Sequence, residues 1–157
     1  MTVQERIASL LKGSGLTLST AESCSGGNIA HLLTTVPGSS EYFLGSVVSY
    51  SPKVKIEILN VNALSIKSNG IVSSSVAEQM AESVRALMKT SFSVSITGWA
   101  DAYGDEFEPA GTAWIGVSGP DGTKTFRVES HLSRVENIEV FSVKALELLA
   151  DCIECSR

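Results

Sequence analysis

Runs that favour β-strands alternate along this chain with longer runs that have helical spacing, and this alternation limits the possible folds. The segment Phe-Ser-Val-Ser-Ile alternates apolar and polar residues and predicts a strand over 92–97. The segment 73–89 predicts a helix, because Val76, Met80 and Val84 lie on one face. Strands that alternate with helices imply a sheet that helices cover on both faces.

The remaining predicted elements complete an α/β pattern with an antiparallel end. They are helices near 3–11 and at 25–35, 52–59 and 135–153, and strands at 16–20, 42–50, 112–117 and 123–128. The last two strands are joined by Ser-Gly-Pro-Asp-Gly at 118–122, which is typical of a hairpin connection. The sheet is therefore expected to contain both parallel and antiparallel strands.

Three polar loops follow predicted strand ends, at 20–27, 50–55 and 97–111. They hold most of the chemically able side chains outside the helices. In open α/β sheets, ligands bind at the carboxyl ends of the strands. We therefore expect these three loops to converge on one pocket.

The octet Thr-Ala-Glu-Ser-Cys-Ser-Gly-Gly at 20–27 lies where a strand turns into a helix. Such a junction presents backbone N–H groups and the positive end of a helix dipole to a ligand, and glycines allow close approach. A serine at this place is a candidate nucleophile with an oxyanion site beside it. A purely structural interpretation also stands, in which Ser25 caps the helix and Gly26 and Gly27 form a turn.

A serine nucleophile needs a base, and neither histidine lies in a candidate loop. His31 falls within a predicted helix, and His131 follows the last predicted strand. Lys55 lies one helical turn after Ser51, and a lysine can act as the base when burial lowers its pKa. Tyr50 is placed to orient this lysine or to stabilise charge at the reacting centre. The alternative interpretation is that Lys55 is a solvated helix residue.

The loop at 97–111 is acidic and aromatic. It begins with Thr97 and Gly98, which are placed to contact a phosphate or a substrate carbonyl. Its four carboxylates either hold a metal or form a solvated surface, and they disfavour phosphate unless a cation intervenes. These carboxylates are Asp101, Asp105, Glu106 and Glu108. Its aromatic residues are suited to stacking on a ring, to core packing, or to a partner or dimer surface; they are Trp99, Tyr103 and Phe107.

The length and charge of the chain restrict its class. Its 157 residues predict a single domain over 1–157. The formal net charge of -5, without a basic cluster, argues against direct binding to nucleic acid. Its apolar runs are too short to span a membrane and its start lacks a secretion signal, so a cytoplasmic location is expected. Cys152 and Cys155 end a helix-like run and are expected to pack there instead of binding metal.

Six short segments form an ordered set that spans most of the chain. They are TAESCSGG at 20–27, VPGSS at 36–40, VSYSPKVK at 48–55, GIVS at 70–73, SITG at 95–98 and PAGT at 109–112. In this order they resemble the CinA C-terminal domain family, whose stand-alone members include nicotinamide mononucleotide deamidases. The set is far more specific than any one of its segments.

The resemblance implies a three-layer α/β/α sandwich with a mixed, mostly parallel sheet. It also implies hydrolysis of the nicotinamide mononucleotide amide to nicotinate mononucleotide and ammonia, with no metal or organic cofactor. By similarity, Ser23 is the nucleophile, Lys55 is its base and Tyr50 assists. The substrate-binding residues implied in the same way are Ser25, Gly26, Gly27, Thr97, Gly98 and Arg134, with the first three on the oxyanion side. Arg134 is a suitable phosphate partner, because a guanidinium binds phosphate through two parallel hydrogen bonds.

Two stretches depart from the pattern that is usual in this family. Trp-Ala-Asp-Ala-Tyr-Gly-Asp at 99–105 stands where the family has glycine and proline, and Ile138 and Glu139 stand where a basic residue usually follows Arg134. These departures affect substrate recognition and leave the catalytic set intact. They leave two hypotheses, an amidohydrolase acting on a small mononucleotide or a relative of it, and a catalytically silent nucleotide-binding or protein-interaction domain. Either hypothesis is compatible with a homodimer.

Overall fold

The computed structural model describes residues 1–156, and its helices and strands alternate as the sequence predicts. The helices are α1 (Val3–Leu11), α2 (Asn28–Thr34), α3 (Pro52–Glu57), α4 (Ala63–Asn69), α5 (Ser74–Met88) and α6 (Arg134–Cys155). The strands are β1 (Leu18–Glu22), β2 (Phe43–Val48), β3 (Phe92–Gly98), β4 (Thr112–Gly119) and β5 (Gly122–Glu129), and a short 3-10 helix spans Ser39–Glu41.

The five strands form a sheet in the order β2-β1-β3-β4-β5. β2, β1 and β3 are parallel to one another, whereas β4 is antiparallel to both of its neighbours. Four of the five strands therefore run in the same direction. The hairpin of β4 and β5 closes more tightly than predicted, because Gly119 pairs with Gly122 across Pro120 and Asp121. The prediction of a mixed, mostly parallel sheet is confirmed.

Different helices cover the two faces of this sheet. α1, α2 and α6 pack on one face, where Phe92, Val94 and Ile96 of β3 join the larger apolar core. α5 covers the other face, where Ser93 and Ser95 donate hydrogen bonds to carbonyl oxygens of α5. Polar side chains are tolerated in this buried face because the helix backbone satisfies them. The alternating sequence of β3 thus assigns successive side chains to opposite faces, and the three-layer α/β/α arrangement is confirmed.

The junction between β1 and α2 differs from the predicted boundaries. β1 was predicted at 16–20 and lies two residues later, because Ala21 and Glu22 still pair with β2. The helix predicted from residue 25 begins at Asn28, because Gly26 and Gly27 have left-handed φ angles of 60° and 101° and form a turn. The turn after β1 therefore spans 23–27 and leads directly into α2.

The last helix, α6, carries the predicted cysteine pair at its end. Cys152 packs against the larger core, as expected, whereas Cys155 is exposed, and both are free thiols. Burial raises the pKa of the Cys152 thiol. Within residues 1–156, no group of three or more His, Cys, Asp or Glu side chains is placed to hold a metal ion. In the same part of the chain, no helix has the length and apolar character needed to cross a membrane.

Candidate active site

The three predicted loops meet at one cavity of about 300 Å³ beside the carboxyl ends of β1 and β3. The first turn of α6 adds Arg134 to its lining. Six of the predicted site residues line this cavity, namely Ser23, Tyr50, Lys55, Thr97, Gly98 and Arg134. The predicted convergence of the loops is therefore confirmed, and the cavity has a size at the lower end of small-molecule sites.

Lys55 and Ser23 form a direct hydrogen-bonded pair at the inner end of this cavity. The Lys55 Nζ donates to the Ser23 Oγ over 2.8 Å and to the carbonyl oxygen of Ser49 over 2.6 Å. Lys55 is 1% exposed and Ser23 is 8% exposed. The interpretation of Lys55 as a solvated helix residue is therefore wrong.

The local sequence explains why this lysine is buried. Ser51 caps α3 through a hydrogen bond from the Val54 amide, and Pro52 occupies the first helical position. These two residues fix where α3 begins and so place Lys55 on its inward face, one turn later. Lys53 lies on the exposed side of the same short helix.

The environment of the pair lowers the pKa of the lysine and keeps the neighbouring cysteine protonated. Burial lowers the pKa of Lys55 to about 8, while the neighbouring Cys24 acts in the opposite direction. Burial raises the pKa of the Cys24 thiol to about 12, so this thiol stays protonated near neutral pH. Ser23 is the better candidate nucleophile of these two adjacent residues, because its Oγ is the one hydrogen-bonded to the Lys55 Nζ.

Ser49 connects the lysine to the strand that carries the nucleophile. Its amide donates to the backbone carbonyl of Glu22 over 2.7 Å, and its own carbonyl accepts from Lys55. Glu22 is the residue immediately before Ser23. Ser49 thus joins the end of β1 to Lys55, which helps to hold the lysine beside Ser23.

Glu22 is a buried carboxylate that the sequence interpretation did not assign to the site. Its Oε1 accepts from the Ser25 hydroxyl at 2.7 Å and from the Ile29 amide at 2.9 Å, and its Oε2 accepts from the Ala30 amide at 2.9 Å. A carboxylate at the N-terminus of a helix satisfies free amides and interacts favourably with the helix dipole. Glu22 therefore anchors the 23–27 turn to α2. The sequence signal that could have identified Glu22 is its position, since it is an acidic residue at the end of a buried strand and just before a helix.

Three predicted substrate-side residues are located elsewhere. Ser25 directs its hydroxyl to Glu22 and is 4% exposed, and neither it nor Gly26 or Gly27 lines the cavity. In this structure the two glycines shape the turn and the Ser25 hydroxyl supports Glu22, and the place of these three residues on the oxyanion side stays a prediction. Glycine is favoured at both positions because both have positive φ angles, which other residues rarely adopt.

Thr97 and Gly98 line the cavity at the end of β3. The Thr97 hydroxyl donates to the carbonyl oxygen of Ile71 over 2.9 Å. A Cβ on Gly98 would lie 2.7 Å from the Ala113 Cβ and 3.0 Å from the Cys24 Sγ. Glycine at 98 therefore allows β4 and the nucleophile turn to pack closely against the end of β3.

A polar rim, formed by Tyr50, Asp101 and Arg134, surrounds the outer part of the cavity. Arg134 donates from Nη2 to the Tyr50 hydroxyl at 2.9 Å and from Nη1 to the Asp101 Oδ2 at 3.4 Å. Tyr50 is 61% exposed. The expectation that Tyr50 orients Lys55 is not met in this structure, because its hydroxyl is engaged by Arg134.

The other carboxylates of the acidic loop are directed away from the cavity. Asp105 accepts hydrogen bonds from the amides of Phe107 and Glu108 within the loop itself. Glu108 forms an ion pair with Arg127 at 2.7 Å. Within residues 1–156, Asp101 is the loop carboxylate that lines the cavity.

The loop's aromatic residues do not form one common surface. Trp99 and Tyr103 line the cavity, where Tyr103 is 75% exposed. Phe107 instead lies against Gly70, whose Cβ position would be 2.8 Å from its ring. The predicted grouping of the three aromatic residues is therefore not observed.

Comparisons with known proteins find similar sequences over most of the chain. The family model for the CinA C-terminal domain matches residues 1–153. The chain belongs to the CinA C-terminal domain family. Two CinA-like proteins are similar in sequence: one from Acaryochloris marina is 44% identical over 82% of this chain, and one from Desulfosudis oleivorans is 40% identical over 95% of it. The chain spans about a third of the length of these curated relatives, 31% and 37% respectively.

Solved structures of the family have the same fold. The competence or damage-inducible protein from Enterobacter asburiae superimposes with a TM-score of 0.93 at 27% identity, covering 98% of this chain and 99% of that one. The competence/damage inducible protein CihA from Agrobacterium tumefaciens gives a TM-score of 0.89 at 30% identity, covering 97% and 93% of the two chains. The fold of this CinA-family domain is thus shared over nearly its whole length.

Proposed function

We propose that this CinA-family domain is an amidohydrolase that uses Ser23 as the nucleophile and Lys55 as its base. The observation that carries the proposal is the 2.8 Å hydrogen bond between the Lys55 Nζ and the Ser23 Oγ inside a cavity. A base within hydrogen-bond reach of a serine hydroxyl is the arrangement that nucleophilic catalysis requires. The lowered pKa of Lys55, about 8, makes its neutral form available near physiological pH.

The chemistry needs no further redox or metal component. Neutral Lys55 takes the hydroxyl proton while the Ser23 Oγ bonds to the amide carbon, and the resulting ammonium stabilises the oxyanion. The carbon–nitrogen bond then breaks, and Lys55 returns the proton to the departing nitrogen, which leaves as ammonia. Water hydrolyses the acyl-serine ester to the carboxylic acid and restores the Ser23 hydroxyl.

The substrate that the family resemblance suggests is nicotinamide mononucleotide or a close relative. Two features of the cavity support a ligand of this class. The Arg134 guanidinium at the rim can donate hydrogen bonds to polar groups of a ligand, and Trp99 and Tyr103 offer aromatic surface to a ring. The reacting carboxamide would then be placed against Ser23.

The experiment that tests this function is ammonia release from nicotinamide mononucleotide by the wild-type chain and by Ser23→Ala. We expect release by the wild type and none above background from the variant, with circular dichroism verifying that both are folded. Equal release by both proteins would contradict the role of Ser23. No release by the folded wild type, from this amide or from its dephosphorylated form, would contradict the proposed reaction.

A further inference from the structure

The charged side chains that line the cavity disfavour the binding of a phosphate. Within residues 1–156, the cations that line the cavity are Lys55 and Arg134. Lys55 is committed to Ser23 and Ser49 at the inner end. Arg134 is thus the cation at the rim, and Asp101 is its counter-ion.

The hydrogen bonds of Arg134 also limit how it can bind a phosphate. Its Nη1 donates to Asp101 and its Nη2 donates to Tyr50, so two of the five N–H groups of the guanidinium already have acceptors. Bidentate recognition of a phosphate uses two parallel N–H groups of one guanidinium. A phosphate that binds the remaining N–H groups of Arg134 would bring its negative charge close to the Asp101 carboxylate, which lies 3.4 Å from Nη1.

We propose that Asp101 determines substrate specificity and selects a nucleoside carboxamide that lacks a phosphate. This inference rests on the proposed amidohydrolase function and names its substrate class. The carboxylate of Asp101 accepts hydrogen bonds from ribose hydroxyls, as acidic residues do in dinucleotide-binding folds. The same carboxylate repels the phosphate of a nucleotide. The rim thus favours a ligand whose ribose ends in hydroxyl groups over a ligand whose ribose carries a phosphate dianion.

The size of this effect is limited by solvent. The Asp101 and Arg134 side chains are 52% and 43% exposed, so water and salt screen their interactions. We therefore expect the removal of the Asp101 charge to shift the preference between the two ligand classes by about tenfold at low ionic strength.

The test measures binding by calorimetry, using nicotinamide mononucleotide and nicotinamide riboside as probes. Ser23→Ala is the background, because it prevents turnover during the titration. Asp101→Asn is added to this background, and Glu106→Gln serves as the matched control. Glu106 is an exposed carboxylate of the same loop that does not line the cavity, so its removal changes the net charge equally.

The Ser23→Ala protein is expected to bind the riboside at least as tightly as the mononucleotide. Asp101→Asn should raise the affinity for the mononucleotide relative to the riboside by about tenfold, whereas Glu106→Gln should change this ratio by less than about twofold. The inference is overturned if Asp101→Asn and Glu106→Gln change the ratio equally, if the background protein already prefers the mononucleotide, or if neither probe binds.

The binding ratio separates this inference from the proposed function. If the wild type hydrolyses neither amide and the Asp101→Asn ratio still shifts, the amidohydrolase function fails while the role of Asp101 in ligand selection stands. If the wild type hydrolyses an amide and the ratio does not shift, the function stands and the role of Asp101 fails. The values of kcat/KM for the two amides give the same comparison in the active enzyme.

Discussion

The pH dependence of turnover follows from the environment of Lys55. Only the neutral amine can accept the Ser23 proton, and burial lowers the pKa of this lysine from 10.5 to about 8. At pH 7 the neutral fraction is then about one tenth, compared with about 3 in 10,000 for an unperturbed lysine. The buried position therefore increases the population of the active form by about 300-fold.

Because the neutral form of Lys55 is the active one, kcat/KM should rise with pH and then level off. Below pH 8 the lysine is protonated in most molecules, so kcat/KM should fall by about tenfold for each pH unit. Above pH 8 the amine is mostly neutral, so the rate should level off by about pH 9. The assay is ammonia release from the better of the two amides between pH 6 and pH 9.5, at substrate concentrations below KM. Circular dichroism at each pH verifies that the protein stays folded.

Two lysine variants provide the controls for this profile. Lys55→Met should lose turnover at every pH, because no base remains beside Ser23. Lys53→Met, two residues away on the exposed side of α3, should keep the wild-type profile. A wild-type profile that is flat from pH 6.5 to 9.5 would refute the assignment of Lys55 as the base. A profile that still rises about tenfold per pH unit up to pH 9.5, as expected for the ordinary lysine pKa of 10.5, would refute the lowered pKa.

Three further expectations concern residues that support the site. Gly98→Ala should lower the free energy of unfolding by about 1–3 kcal/mol in urea denaturation, because its Cβ would clash with Ala113 and Cys24; an unchanged midpoint would contradict the packing described. Glu22→Gln should cost about 1–3 kcal/mol in the same assay, because an amide group replaces one acceptor of the hydrogen bonds from Ser25 and α2; wild-type stability would show that these bonds are dispensable. Alkylation at pH 8, followed by mass spectrometry, should modify exposed Cys155 and leave Cys24 unmodified until the protein is denatured; fast labelling of Cys24 in the folded protein would contradict its burial.

Much of the fold was accessible from the sequence because its elements have strong periodicity. The helix predicted over 73–89 is observed as Ser74–Met88, and the strand predicted over 92–97 is observed as Phe92–Gly98. The helix buries one face along its length, and alternate residues of the strand point into the apolar core. Their apolar residues therefore recur at regular spacing. Helix α4 was not predicted because none of its residues is fully buried; it is defined by the Asn62 cap at its start.

The site could be predicted in part from the sequence, and the part that could not be predicted has a physical explanation. The sequence order of loops after strands was enough to predict that Ser23 and Lys55 share one cavity, whereas Arg134 was expected there only from the family resemblance. Hydrogen-bond partners across the fold were not accessible in the same way. Tyr50 bonds to Arg134, which is 84 residues away in sequence, and no local pattern encodes that contact.

The most direct test of the Ser23–Lys55 mechanism is intact-mass spectrometry of the protein quenched during turnover, with peptide mapping of any adduct. A covalent acyl group on the peptide that contains Ser23, absent from Ser23→Ala, is the result expected if Ser23 attacks the amide. Turnover by Ser23→Ala at the wild-type rate, with no adduct on either protein, would contradict the mechanism and would indicate that water attacks the amide directly.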